Sequence, residues 1–357
     1  MTDNRHPMPD LNPPPHAAAP AIAVVIPFYN GSPFIERALR SVYAQSLPAA
    51  EVVVVNDGSE PQEREFLHAL QPRYGFTLID QENGGQGAAR NAGVAASSAP
   101  YICFLDQDDF YLAHHNRTLA EAIPPDDPLL GYIYADLWDA DAEGRVASYG
   151  MIKDYAVHPK RNLLDLLRND MYVLPSASLT RREAFEAVGG FDPQFTGYED
   201  DDLFLRIFRA GYTNYFVDQA VTVWCIHTAS TSYSMRMARS RLKYFKKLAA
   251  EFPDAPRRNR FFLCDCLAPR FGPYFMGQAL QASCASTENR VEACAILDEY
   301  AALMLPNPFV GRRAKLKLHI ILTLVHRCPR WLLRLMIRSL IRLPKMGWLR
   351  QLLTTTI

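Results

Sequence analysis

The chain has 357 residues, 49% hydrophobic and 21% charged, so it can bury a large core and is not disordered as a whole. Its formal net charge is zero, but Phe309 to Ile357 holds eleven Lys and Arg and no acid, leaving 27 basic against 38 acidic residues elsewhere. That asymmetry turns the basic end towards an acidic or membrane partner. Residues 1–20 contain six prolines and no apolar core segment, and read as a flexible tail, not a signal peptide. Next, AIAVVI predicts a buried strand over 22–26 that ends at Pro27. A helix follows over 33–45, with Phe34, Ala38, Leu39 and Val42 on one face. Strands are then expected at 51–56, 76–79 and 101–105, separated by helices at 61–70 and 86–97. Apolar strands alternating with helices argue for an α/β fold, a parallel sheet covered on both faces.

From residue 131 the pattern changes. GYIYADLW, RVASYG, MYVLPSASL, YFV (215–217) and VTVWCI (221–226) read as strands that extend the same sheet in mixed directions. A helix over 199–211 is expected to end at Gly211. Past residue 236 the chain reads as helical, interrupted at Pro253, Pro256, Pro269, Pro273, Pro306, Pro308, Pro329 and Pro344. The expected organisation is a tail over 1–20, a catalytic domain over 21–235 and a helical extension over 236–357, basic and amphipathic from about 309. Seven cysteines, an odd number in no paired framework, suit a reducing cytoplasm. Cys264, Cys266, Cys284 and Cys294 lack C-x2-C pairs and read as small buried residues before they read as a zinc set.

Ligands of an open α/β sheet bind beyond the carboxyl ends of its strands. Those ends are Pro27-Phe28-Tyr29-Asn30-Gly31, Asn56-Asp57-Gly58-Ser59, Glu82-Asn83-Gly84-Gly85-Gln86-Gly87 and Asp106-Gln107-Asp108-Asp109. Each could be an ordinary turn; together they would line one crevice. Three carboxylates within four residues after YICFL repel one another, and a cation relieves that repulsion. Mg2+ or Mn2+ combines one or two carboxylates with substrate phosphates. Capping of the next helix would need only one of the three. The second acidic run is Glu199-Asp200-Asp201-Asp202. Acids complement a helix N-terminus, and Asp202 can pair with Arg206 at i+4 on an exposed face. Four acids exceed what capping needs, and one could act as general base towards a sugar hydroxyl. Both readings stand on the residues alone.

VVIPFYN, VVVVNDGS, ENGGQGAARNAG, FLDQDD and GGFDPQFTGYEDDDLFLRIFRAGY occur in the order seen in family 2 glycosyltransferases of the GT-A fold. The chain resembles that family over roughly residues 22 to 230, and several motifs in order are more specific than any one. The resemblance implies a nucleotide-diphosphate sugar donor, expected to be a UDP-sugar, inverting transfer, and a divalent cation, Mg2+ or Mn2+. By motif position, Asp57 resembles the residue that contacts the nucleotide base. Asp106 and Asp108 match the D-x-D group on ribose and metal-diphosphate, and Arg90 and Asn91 an Arg-Asn pair beside the nucleotide. Pro27, Tyr29, Asn30 and Gln107 fall on the donor side, with Tyr198 and Glu199 on the acceptor side. Asp200 matches the usual catalytic base. His227, in WCIHTASTS, sits where many relatives carry a His near the diphosphate and metal.

The expected reaction is a single displacement into a glycan or lipid-linked acceptor, in cell-surface polysaccharide or glycolipid synthesis. A sugar nucleotidyltransferase would carry a basic Gly-rich loop where PFYNG stands. A non-catalytic sugar-binding module would not need the intact acidic groups. Gly311 to Leu353 mixes HIILTLV and WLLRLMIRSLI with Arg327, Arg330, Arg334, Arg338 and Arg342, and adds Trp331 and Trp348. This predicts C-terminal helices on the anionic inner face of a membrane, in a cytoplasmic, peripheral enzyme. The rival readings are packing on the acidic domain and a homo-oligomer contact. Basic residues interleaved with an apolar face argue against a nucleic-acid partner. No run of eighteen uncharged apolar residues is present to span a bilayer.

Overall fold

The computed structural model describes residues 19–226, 235–285 and 289–340, the last four by backbone alone. β1 (Ile22–Phe28), α1 (Ser32–Tyr43), β2 (Glu51–Asp57), α2 (Pro61–Tyr74), β3 (Thr77–Gln81), α3 (Gln86–Ala95) and β4 (Tyr101–Phe104) form the predicted alternation. β1 pairs in parallel with β2 and β4, and β2 with β3, giving the order β3-β2-β1-β4. The strand order reverses between β1 and β4, which is where a crevice opens. β1 runs one residue past Pro27, whereas the sequence expectation ended it there. β4 stops at Phe104, opposite Val25, and the Val25 carbonyl points to that side. Pro27, two residues on, faces the same side beyond the end of β4, so its missing N–H costs no ladder bond. On α1 the buried stripe is Ile35, Ala38, Leu39 and Val42, so Ile35 takes the place expected of Phe34.

The second half extends this sheet through β5 (Phe110–Tyr111), α4 (His115–Glu121), β6 (Leu130–Ala140), β7 (Val146–Tyr149) and α5 (Leu163–Arg168). β8 (Ser178–Arg181), α6 (Arg182–Ala187), α7 (Glu199–Arg209) and β9 (Thr213–Cys225) complete it. The order continues β4-β8-β6-β9-β5, with β7 beside β6. β8 is antiparallel to β4 and β6, while β9 is parallel to β6 and antiparallel to β5. The mixed directions expected from sequence are present. Two details differ. MYVLPSASL contributes only its end to a strand, because Pro175–Ala177 forms a 3-10 turn. The two strands read at 215–217 and 221–226 are one, β9. The exposed polar pair Asp218-Gln219 looked like a break, but it bulges out where Val217 pairs with Ala135 and Ala220 with Asp136.

The remaining helices are α8 (Met235–Glu251), α9 (Ala268–Cys284), α10 (Arg290–Met304), α11 (Arg312–Arg327) and α12 (Arg330–Leu340). α9 contains both Pro269 and Pro273, which the sequence reading took as interruptions. Pro269 lies in the first turn, where an N–H has no helical partner, and a π-helical turn at Leu263–Leu267 leads directly into α9. α8 to α12 close over the sheet face that carries Val25, Ile102, Phe104, Tyr132 and Tyr134. Phe245, Phe271, Phe275, Leu297, Ile321, Val325 and Leu333 complete that core. Val24 and Ile26 point to the opposite core with α1 and α2. The helical extension therefore shares its hydrophobic core with the sheet. Among the described residues no helix is long and apolar enough to cross a membrane.

Candidate active site

The loops after β1, β2, β3 and β4 are stapled to one another through side chains that bond backbone. Gln107 donates from Nε2 to the Tyr29 carbonyl (3.0 Å) and accepts from the Tyr29 N–H (2.9 Å). A Cβ on Gly31 would lie 2.2 Å from the Gln107 amide, so a side chain there would push that amide off Tyr29. Asn30, at φ 47°, donates from its N–H to Ser59 Oγ and accepts from the Glu60 N–H. The Tyr29 ring is left exposed at the rim, and Pro27 is buried beneath it in β1. Asp57 is buried at the end of β2. Its Oδ1 accepts from Gln81 Nε2 and Gly84 N (both 2.8 Å), and its Oδ2 accepts from Gly85 N (2.9 Å). The residue singled out for base recognition thus also shapes the Gly84-Gly85 turn, and three of its roughly four acceptor positions are in use.

Arg90 joins the two acidic groups. It rises from α3, is 2% exposed, and lies over the Phe191 ring at 5.1 Å. Its Nη2 donates to Asp106 Oδ1 (2.6 Å) and its Nη1 to Glu199 Oε1 (3.1 Å). Gln86 Nε2 donates to the same Asp106 oxygen (2.8 Å), and the Asp106 N–H donates to Ser176 Oγ. One buried guanidinium therefore sets the end of β4 against the first turn of α7. Asn91, its neighbour, is engaged in both directions by the Phe191 backbone, donating to the carbonyl (2.8 Å) and accepting from the N–H (2.9 Å). Asp109 is buried and accepts from the Cys225 N–H. Burial pushes its carboxyl well above the usual range, and the charges of Asp108 and Asp106 push the same way.

The four acids of α7 have separate surroundings. Glu199 is buried, with Oε1 on Arg90 and Oε2 without a hydrogen bond among the described residues, and burial raises its pKa. Asp201 accepts from the Met171 N–H and pairs with the buried Arg270 of α9. Burial holds its pKa near 6 against the pull of Arg270. Asp202 pairs with Arg206 (2.7 Å) and with Lys247 of α8 (2.6 Å). The i+4 pair expected on an exposed face is thus formed on a buried one, because α8 covers it. Asp200 is half-buried and, alone of the four, forms no ion pair among the described residues. Its Oδ1 accepts from the Asp201 N–H (2.8 Å). Burial pushes its carboxyl well above the ordinary range, reinforced by the charges of Glu199 and Asp201. Tyr198, at φ 65°, stacks on Tyr244 and its hydroxyl accepts from Arg241 Nε (2.9 Å).

His227 lies outside the described residues, as do Thr228, Ser230, Thr231 and Ser232. The sequence reading missed Arg270, Lys247 and Ser176, and named Gln86 only as part of the turn after β3. Arg270 left a trace, a lone charge inside the apolar run CLAPRFGPYF. Among the described residues no group of three or more His, Cys, Asp or Glu side chains is placed to hold a metal. Asp106 Oδ2 accepts no hydrogen bond from the described residues, while Oδ1 is held by Arg90 and Gln86. A single oriented carboxylate oxygen fits the way Mg2+ or Mn2+ binds, through one or two carboxylates with phosphates as the other ligands.

Known proteins resemble this chain over the same residues. A family model described as Glycosyl transferase family 2 matches residues 23–189, and one described as N-terminal domain of galactosyltransferase matches 176–229. The uncharacterized glycosyltransferase YwdF of Bacillus subtilis is 28% identical over 241 residues, 67% of this chain and 87% of that protein. The uncharacterized glycosyltransferase RC0461 of Rickettsia conorii is 31% identical over 53% of this chain and 31% of that protein. Among solved structures, S. aureus TarS 1-349 in complex with UDP-GlcNAc superposes with a TM-score of 0.59 at 16% identity. That match covers 89% of this chain and 92% of that one. The mannosyltransferase PcManGT from Pyrobaculum calidifontis, in complex with GDP-Man and Mn2+, gives 0.50 at 20% identity, covering 94% and 87%. At these identities the structural likeness carries the fold, which is GT-A.

Proposed function

We infer that this chain, whose sequence matches and GT-A fold support a glycosyltransferase of family 2, moves a sugar from a nucleotide-diphosphate sugar to an acceptor hydroxyl in one inverting displacement. The observation that carries the reading is Asp200. Three of the four acids of α7 are committed to cations, and Asp200 is not. It stands next to Glu199, which Arg90 ties to Asp106. A base must reach the acceptor hydroxyl while the donor diphosphate lies at the D-x-D group, and Arg90 fixes those two ends relative to each other. Burial makes Asp200 a stronger base than a solvated carboxylate. It accepts the acceptor proton as the oxygen attacks the anomeric carbon.

Asp57 and the stapled loops after β1 and β2 receive the nucleotide, with a UDP-sugar as the donor expected from a carboxylate facing a ring N–H. Pro27, Tyr29, Asn30 and Gln107 shape the wall of that site, and Asn91 and Arg90 hold it from below. Asp106 and Asp108, with His227, would hold Mg2+ or Mn2+, which when bound neutralises the departing diphosphate. Tyr198 and Glu199 border the acceptor side. The acceptor is a glycan or lipid-linked hydroxyl of cell-surface polysaccharide or glycolipid synthesis. α11 and α12 would bring the enzyme to the inner face of a membrane. Leu316, Ile320, Trp331 and Leu335 are exposed on them beside Arg312, Arg313, Arg327 and Arg334, while Leu318, Ile321, Val325 and Leu333 belong to the core. Homo-oligomer formation through the same face is the competing use.

The experiment is a panel of sugar nucleotides incubated with Mn2+ or Mg2+ and candidate acceptors, with the anomeric configuration of the product read by NMR. Turnover of one donor with inversion is expected. Transfer of a nucleotidyl group, or no turnover by a protein that binds sugar alone, would replace this reading by one of its two rivals.

A further inference from the structure

A second site lies on the far side of α5. A groove of about 420 Å³ runs between α5 and the segment 259–266, with Leu163, Leu164, Phe261 and Phe262 as its apolar walls. Arg168 and Arg260 also line it, and Asp265 is the one acidic side chain among the lining residues. Arg260 closes a tight turn in which the Ala255 N–H bonds the Arg260 carbonyl and the Arg258 N–H bonds the Ala255 carbonyl. The turn therefore holds Arg257, Arg258 and Arg260 together, all exposed. The Phe261 ring meets Phe309 at 5.1 Å, which brings the start of α11, with Arg312 and Arg313, to the same place. Among the described residues none of these five arginines pairs with a carboxylate. Arg90, Arg206, Arg239 and Arg270, by contrast, are matched to acids.

A hydrocarbon-lined groove with Arg168 and Arg260 on its wall and four more exposed arginines beside it is complementary to an amphiphile with an anionic head. Arginine recognises phosphate through parallel N–H donors, and the phenylalanines offer a surface for the first methylenes of a chain. We propose that this groove and its arginine rim seat the phosphate headgroup and upper acyl chain of an anionic membrane phospholipid, so that the 257–261 turn and the start of α11 face the bilayer. The proposal deepens the membrane placement given above and rests on it. It moves the main contact from the end of α12 to the arginine turn. It also gives the enzyme an orientation. The other side of α5 carries Asn162, Asp165 and Asn169 into a separate cavity of about 250 Å³, whose wall includes Asp170. Asp170 shares Arg270 with Asp201, next to Asp200. The short helix α5 thus separates the lipid groove from the cavity that Asp170 borders.

The test is co-sedimentation of the full chain with vesicles of phosphatidylcholine, alone or with phosphatidylglycerol, at constant ionic strength. Wild type should bind the vesicles containing phosphatidylglycerol and bind pure phosphatidylcholine weakly. R257A/R258A/R260A should lose roughly a hundredfold in partitioning, since each basic residue near an anionic surface changes binding about fivefold. Leu164→Glu, at an exposed groove wall, should weaken binding as well. Hydrolysis of the sugar nucleotide by both variants should match wild type, which verifies the fold and keeps this result separate from that of the transferase reading. Retention of full binding by the triple variant, with loss confined to W331A/R334A, overturns the groove and leaves the membrane contact on α12. Displacement of the protein by inorganic phosphate at matched ionic strength overturns it in favour of a site for free anions. If wild type binds no vesicle, this proposal and the membrane placement both fall, whatever the outcome of the transfer assay.

Discussion

The two acidic ends of the crevice are held by different means. In the loops after β1, β2 and β4, Asn30, Asp57 and Gln107 bond the backbone of neighbouring loops, so the sheet half of the chain positions its own side chains. On the α7 side, Glu199, Asp201 and Asp202 are placed by cations from α3, α9 and α8. The first end is built from residues within the first 110. The second depends on the helical extension. The contrast teaches that the extension helps to place the acids of α7, because Arg270 and Lys247 leave Asp200 as the one of the four without an ion pair among the described residues.

Substitutions can sharpen or break this contrast. The largest expected effect is at the D-x-D group. Asp108→Ala should abolish transfer and weaken metal-dependent nucleotide binding, and chelation of wild type should do the same; a chelator-insensitive enzyme with an active variant would contradict it. Next is Asp200→Asn, with transfer down roughly a hundredfold or more and nucleotide affinity retained, measured by initial rates and calorimetry. The raised Asp200 pKa has a definite sign. The base acts when deprotonated, so the rate should climb as pH rises through a value above the ordinary carboxylate range; a limb lying within that range would argue against burial of Asp200.

Arg270→Met should leave the buried Asp201 and the half-buried Asp170 without their cation and cost about 3–5 kcal/mol by denaturant unfolding. Asp57→Ala removes acceptors only on the nucleotide side, so it should weaken nucleotide binding and blur base selectivity with Asp200 chemistry unchanged. The smallest effect belongs to Asn91→Ala, which strands the Phe191 N–H and carbonyl and should cost about 1–3 kcal/mol. If instead it left stability intact and weakened only nucleotide binding, Asn91 would be a ligand contact and not a clamp.

The alternation was legible because β1, β2 and β4 are largely buried on both faces, so their apolar runs are continuous, while the edge strand β3 is not buried. The mixed sheet beyond β4 was legible in outline. Its details were hidden where a local signal has two structural solutions, as when Asp218-Gln219 serves as a bulge and Pro273 sits within a helix. The acidic runs were visible as clusters of charge. Apart from Arg206, at i+4 from Asp202, their partners were not, because Arg270 lies 69 residues from Asp201 and Arg90 lies 109 from Glu199, and pairing over such distances leaves no periodicity. Asn91 adds a contact of the same long range, since its amide bonds the Phe191 backbone 100 residues away.

The central claim is that Asp200 is the base of a glycosyl transfer from a nucleotide sugar. The most direct measurement compares wild type, Asp200→Asn, Asp201→Asn and Asp202→Asn on the donor found by the panel, with transfer rate and nucleotide affinity taken from the same samples. Asp200→Asn should lose transfer while keeping wild-type nucleotide affinity, and the other two should lose stability before they lose rate. A fully active Asp200→Asn, with Asp201→Asn or Asp202→Asn folded and inactive, would contradict it.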